Sequence, residues 1–319
     1  MKKAWKALSV LLTIAVFSLM VIGSGSAGSG SATAAVLEEK TAGAKEQTET
    51  TAKADETKTK AAEETAIDFP AAVIVDNDQI YFEIKSIEWD KIWGYTLRCI
   101  CENRTDKDLM FTSRYAYVNG WECDLAWIST INAGKKSNES LSFSKERLKE
   151  CGITDVTNIT FNLRAYDSND WTAEPVEDNE YTVYPLGEDA DKEYERVPQD
   201  SDEVLADNDD LAIVVVGKRI DSIWGYTLDV YLENKSEKPL MYSVLDATVN
   251  GFMCDPLFAK SIMPGKKAMG SISWGKITLE KQGLTPEDVE EVELPFKVYN
   301  EDNFLEDPVL EETFTVKAK

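Results

Sequence analysis

Short runs in which apolar and polar residues alternate recur along most of the chain. Ile80, Phe82 and Ile84 stand between polar neighbours, and Leu97, Cys99 and Cys101 face one way with Arg98 and Glu102 outside that set. A period of two over short runs, with Gly, Asn and Asp between them, predicts half-buried antiparallel strands. Residues 109–118, 137–143, 158–166 and 181–184 continue the pattern, and 211–216, 226–233, 240–249, 268–273, 292–299 and 312–316 form a second series. One short helix interrupts each series: Ser144 can cap residues 145–151 ahead of Gly152, and 277–282 ahead of Gly283 is its counterpart. Asn119-Gly120 after Val118, and Asn250-Gly251 after Val249, read as tight hairpin turns.

The two series are copies of one another. Ile92-Trp93-Gly94-Tyr95-Thr96-Leu97 recurs letter for letter as Ile223-Trp224-Gly225-Tyr226-Thr227-Leu228, 131 positions later. At that offset residues 76–136 and 207–267 agree at 25 of 61 positions without a gap. This is an internal duplication, and it sets the domain arrangement. About seven short strands per ~110 residues predict an all-β fold of two tandem immunoglobulin-like antiparallel β-sandwiches, each with one short helix. They cover residues 67–185 and 207–319, with an acidic linker over 186–206.

Ahead of them, Lys2, Lys3 and Lys6 precede an apolar run over residues 7–22 and a small-residue stretch over 23–35. Those are the three parts of a secretory signal peptide, assigned here to residues 1–35. An uncleaved anchor is the alternative, although the run falls slightly short of the ~20 residues of a comfortable span. Val21-Ile22-Gly23-Ser24 resembles a bacterial lipoprotein box, with Ser24 where the lipidated cysteine belongs. Residues 36–66 are nearly all Ala, Thr, Glu and Lys, too poor in large apolar groups to order themselves, and read as a disordered tether. The expected location is the exterior or surface of a Gram-positive type of cell.

The succession Ile-Trp-Gly-Tyr-Thr-Leu, Glu-Asn, Leu-Met, Val-Asn-Gly, Cys-Asp, Gly-Lys-Lys, helix, strand and Asp-rich loop resembles a tandem immunoglobulin-like or telokin-like domain of exported Firmicutes proteins. In that group the domain often sits behind a signal peptide and a low-complexity spacer. The resemblance covers residues 67–319, implies fold and location, and carries over no catalytic residue.

Charge and composition narrow the chemistry. The net charge is −24, and because residues 1–66 hold eight Lys/Arg and eight Asp/Glu, the whole excess lies in the duplicated part. Such a surface repels phosphate backbones, so no nucleic-acid partner is expected. The chain has no histidine, which removes Ser-His-Asp and Cys-His catalysis and His-containing zinc sites. No catalytic residue, cofactor or metal ligand is nominated. The reading is a non-enzymatic exported or surface protein that binds an extracellular glycan or protein, or spaces something from the envelope, touching membrane only through an uncleaved N-terminus. The alternatives are a carboxylate-dependent glycan-active enzyme, for which no carboxylate pair stands out, and a calcium-binding module.

Calcium is suggested by Asp76-Asn77-Asp78 and Asp207-Asn208-Asp209-Asp210, but neither has EF-hand spacing, and Asp and Asn also populate turns. Four aromatic pairs survive the duplication. Trp93/Trp224, Trp121/Phe252 and Trp127/Phe258 read as core, since losing a buried ring costs about 3–5 kcal/mol. Trp171 and Phe304 each follow a polar loop and are the candidate ligand-binding residues. Of the five cysteines, Cys99 and Cys101 align with Val230 and Leu232 and read as core filling. Cys123 and Cys254 occupy matched positions, and Cys151 is expected to lie exposed at the helix end; mostly free thiols are expected.

Overall fold

A computed structural model describes residues 65–318, apart from 126, 193 and 257. The signal peptide and all but the last two positions of the tether lie outside the described residues. In the first repeat the strands are β1 (Thr65–Ile67), β2 (Ala72–Asp76), β3 (Ile80–Asp90), β4 (Gly94–Asn103), β5 (Leu109–Thr112), β6 (Ala116–Val118), β7 (Trp121–Glu122), β8 (Ile128–Ile131) and β9 (Lys136–Phe143). Helix α1 (Lys145–Glu150) follows, then β10 (Ile159–Asp167) and β11 (Glu177–Val183). The second repeat runs β12 (Glu203–Asp207), β13 (Leu211–Asp221), β14 (Gly225–Asn234), β15 (Leu240–Val244), β16 (Thr248–Val249), β17 (Phe252–Met253), β18 (Ala259–Ile262) and β19 (Lys267–Trp274). It closes with α2 (Lys276–Glu280), β20 (Glu291–Asn300) and β21 (Leu310–Lys317).

The fold is all-β, and the same pairing recurs in both repeats. One layer is β2-β3-β4-β9 in the first and β12-β13-β14-β19 in the second, antiparallel throughout. The other centres on β10 or β20. β11 or β21 lies on one edge of that strand, and β5 with β6, or β15 with β16, follow each other along the opposite edge. The region read as one strand over 109–118 is thus two, broken where Ser113 Oγ turns back onto Tyr115 O. Inward residues of the two layers share one core: Phe82 of β3 lies 6.1 Å from Phe161 of β10, and Trp127 packs edge-on to Phe82 at 5.9 Å. Such packing follows from strands that each bury one side.

Local signals behave as the residue types require. Ser144 Oγ accepts from Arg147 N at 3.0 Å and starts α1. Asn119 and Gly120 both have positive φ, 51° and 83°, as do Asn250 and Gly251, which gives the tight turns that join β6 to β7 and β16 to β17. Asn103 and Asn234, both fully buried, donate through Nδ2 to two carbonyls each (Lys107 and Ile131; Lys238 and Ile262) and hold the loop after β4 and β14.

The repeats are joined by a structured junction. Lys267 of β19 bridges Trp121 of β7 in parallel, its amide donating to Gly120 O at 3.0 Å. Tyr117 Oη accepts from Met263 N at 2.9 Å, Lys260 pairs with Glu122, and the buried Lys267 ammonium reaches Glu195 at 2.7 Å. Trp121 donates from Nε1 to Tyr194 O, and its ring lies 5.5 Å from that of Tyr231, tilted by 48°. Ala212, Val214 and Tyr231 of the second repeat belong to the first repeat's core cluster, whereas Leu211, Ile213 and Val215 serve their own. β13 is therefore apolar on both sides, and this accounts for its unbroken run Leu-Ala-Ile-Val-Val-Val where β3 alternates.

Candidate functional site: the Ile-Trp turns

The duplicated hexamer begins outside the core. β3 and β4 end on the pair Asp90 and Gly94, leaving a three-residue turn of Lys91, Ile92 and Trp93; Asp221 and Gly225 do the same for β13 and β14. Asp90 Oδ1 accepts from the amides of Ile92 at 2.7 Å and Trp93 at 2.9 Å, and Asp221 Oδ1 accepts from Ile223 and Trp224 at the same two distances. The Trp93 and Ile92 amides hold the Asp90 carboxyl below the ordinary aspartate range, and those of Trp224 and Ile223 do so for Asp221. The glycine closes the turn because nothing larger fits. Gly94 has φ +86°, and a Cβ there would lie 2.3 Å from Phe143 O, beside the start of α1.

The turn holds two large apolar side chains in solvent. Ile92 is 81% and Trp93 64% exposed; Ile223 is 75% and Trp224 52% exposed. The expectation that Trp93 and Trp224 are core rings is thus corrected: Asp and Gly on either side fix a hairpin tip, and the tip lies beyond the sheets. In the second repeat Ile220 of β13 and Ile277 of α2 are exposed as well. The other two pairs divide. Trp121, Trp127 and Phe258 are buried, while Phe252 is half-exposed because Trp121 is covered by the junction and Phe252 has no such cover.

Beneath each tip lies an anomaly. Tyr95 and Tyr226, the fourth letter of each hexamer, are buried, and neither hydroxyl has a hydrogen-bond partner among the described residues. Burial alone pushes the Tyr95 phenol up, and burial followed by Glu203 takes Tyr226 to about 12.

Trp171 and Phe304, the residues singled out from sequence, are 78% and 56% exposed. They sit at the other end of their repeats, in the loops after β10 and β20, where Asp167 pairs with Lys107 just beyond the end of β4. The polar groups beside them are occupied by the loops themselves. Asp167 Oδ1 accepts from Asn169 N, Asp170 Oδ1 from Thr172 N and Oγ1, and Asn300 Oδ1 from Asp302 N. The structure does not bring Trp171 together with Trp93.

The acidic loops are turn chemistry in the same way. Asn77 Oδ1 accepts from Gln79 N and Ile80 N, Asn208 Oδ1 from Asp210 N and Leu211 N, and Asp76 and Asp207 pair with Arg104 and Lys235. Among the described residues no group of three Cys, Asp or Glu side chains is placed to hold a metal. A depression of about 400 Å³ is lined by Asp210, Lys235, Ser236, Glu237, Lys238 and Val309.

All five cysteines are buried free thiols. Cys151 is not exposed, contrary to its expected place at the helix end. It follows Leu148 by three residues and so shares that residue's inward face of α1.

No family model matches the chain, and no curated protein matches it. Among solved structures the crystal structure of the YadV chaperone matches over 70% of this chain and 91% of that one, at 11% sequence identity and a TM-score of 0.22. A likeness that slight bears on neither fold nor function.

Proposed function

We propose that this is an exported or surface-tethered binding protein of two immunoglobulin-like modules, which engages an envelope glycan or protein through its Ile-Trp turns and performs no catalysis. One observation carries the reading: an aspartate and a glycine hold an exposed Ile-Trp pair at the same turn of both repeats. Two large apolar groups in water bring a folded chain nothing. Buried against a partner, each contributes about 1.5–3 kcal/mol, and an anchoring Trp of that kind is worth upwards of about 2 kcal/mol, some thirtyfold in affinity. Two such tips on one chain add avidity toward a repetitive surface. Export is supported by the basic and apolar N-terminal stretch, and the immunoglobulin-like assignment by two layers whose strands cross from one to the other after β4 and β14.

The test is binding of the full chain to a cell-wall preparation and to envelope protein extracts. Trp93→Ala/Trp224→Ala and Trp171→Ala/Phe304→Ala are run beside the wild type. Loss with the first double variant at an unchanged melting temperature supports the turns. Loss with the second alone moves the site to the polar loops. A spacer role is favoured by the junction, which fixes one repeat on the other, and it gains if neither variant changes retention.

A further inference from the structure

The first repeat holds two thiols against each other. Cys123 follows β7 directly, its amide bonded to Ala116 O at 3.0 Å, and Cys151 caps the C-terminus of α1, bonded to Arg147 O at 3.1 Å. The two thiols are near enough to act on each other, and both are buried in the same core cluster. The chain beside them is tied across the same gap: Arg147 of α1 donates to Asp124 Oδ2 at 2.8 Å, which holds the residue after Cys123 against the helix that Cys151 ends. The second repeat has no such pair: Cys254 donates to Thr278 O at 3.9 Å, and Gln282 stands where Cys151 would be. Cys99 and Cys101, two residues apart on β4, align with plain hydrophobes.

We infer that Cys123 and Cys151 close into a disulfide when the chain folds in an oxidising medium, stapling α1 to the strand that carries the junction. The thiolate of one cysteine attacks a sulfur of a small-molecule disulfide such as oxidised glutathione and releases one glutathione thiol. The other cysteine then attacks the mixed disulfide and releases the second. The protein loses two hydrogens and two electrons, and the oxidant becomes two thiols. The Cys123 thiol is held up by the neighbouring Cys151 thiol and by burial, so exchange in the folded state is slow and the bond belongs to the folding step. It closes a loop of 29 residues (151 − 123 + 1) and fixes Trp121 and Glu122, the junction's own residues, two and one positions before it.

That such a medium is met in the cell rests on the export reading; the chemistry does not. The test is to refold the full chain in a glutathione redox buffer, count thiols in denaturant and map the unreduced digest by mass spectrometry. Three free thiols of five, with one peptide pair joining Cys123 to Cys151, are expected. Added reductant should then lower the melting temperature by about 5–10 °C in the wild type and leave Cys151→Ser unmoved. Five free thiols, or a bond between any other pair, overturns the inference. If the refolded protein carries the bond and protein taken from the cell does not, the export reading fails and the thiol pair stands.

Discussion

Arg98 and Arg219 stand on opposite strands of the same hairpin in the two repeats, yet each donates to the aspartate that holds its Ile-Trp turn. In the first repeat Arg98 of β4 meets Glu88 of β3 and reaches Asp90 Oδ2 at 3.3 Å. In the second the charges are exchanged: Arg219 takes the place of Glu88, Asp229 that of Arg98, and Arg219 reaches Asp221 Oδ2 at 3.0 Å. What the duplication retained is the pair and its support of the turn, not either residue. Installing the second repeat's arrangement in the first, Glu88→Arg with Arg98→Asp, should leave stability within about 0.5 kcal/mol of wild type. Either single change should cost up to about 1 kcal/mol through like-charge contact. Urea denaturation of the four proteins measures the coupling, and purely additive single effects contradict it.

The turn aspartates give stability a dependence on acid. Asp90 and Asp221 titrate in the folded chain below the ordinary value of 3.8, because the amides of Trp93 and Trp224 bind their charged forms first among several causes. A depressed carboxyl contributes stability that is present above its unfolded value and is lost as pH falls through its folded one. Asp90→Asn/Asp221→Asn keeps the Oδ1 acceptor and removes the titration. Its urea midpoint should therefore fall less than that of wild type as the pH drops from roughly 4 to roughly 3, the window that runs downward from the ordinary aspartate value. Parallel curves contradict the assignment.

Two glycines of positive φ separate conformation from space. Gly94 and Gly134, φ +86° and +65°, share the left-handed backbone, but a Cβ at Gly134 meets nothing within 4 Å. Gly134→Ala should cost only the backbone term of about 1–2 kcal/mol. Gly94→Ala adds a collision with Phe143 O, and should cost more than about 3 kcal/mol in a chemical denaturation series. Equal costs would show that the turn can shift away from α1.

Tyr95→Phe and Tyr226→Phe remove hydroxyls that are buried with no partner among the described residues. An unmade hydrogen bond of that kind costs about 1–3 kcal/mol, so each change should be neutral or raise stability by up to about 1 kcal/mol, read as a higher melting temperature. A fall instead would reveal an ordered water on the phenol.

Much of the fold was legible because its signals are local. Ser144, the Asn-Gly turns and the alternation of Ile80, Phe82 and Ile84 each dictate their own neighbourhood. Retention of a ring through a duplication points to the core, but at Trp93 the turn signature around it, Asp three positions before and Gly one after, decides instead. At Cys151 the angular position on α1 relative to Leu148 decides burial, not the place at the helix end. The junction also left a trace, in the unbroken apolar run of β13 against the alternating β3. β1, β2, β8 and β18 left little, since three to five residues at a sheet edge carry too short a pattern.

Two repeats so alike in sequence suggest interchangeable beads, but the two-sided β13 makes them a sequence with a direction. The second repeat has no finished exterior until the first has settled on Ala212, Val214 and Tyr231. A gene that transposed the copies, or a protease that removed the earlier one, would leave an adhesive sheet face bare. Since the amino-terminal copy is made first, each molecule emerges with the cover ahead of the surface it must protect.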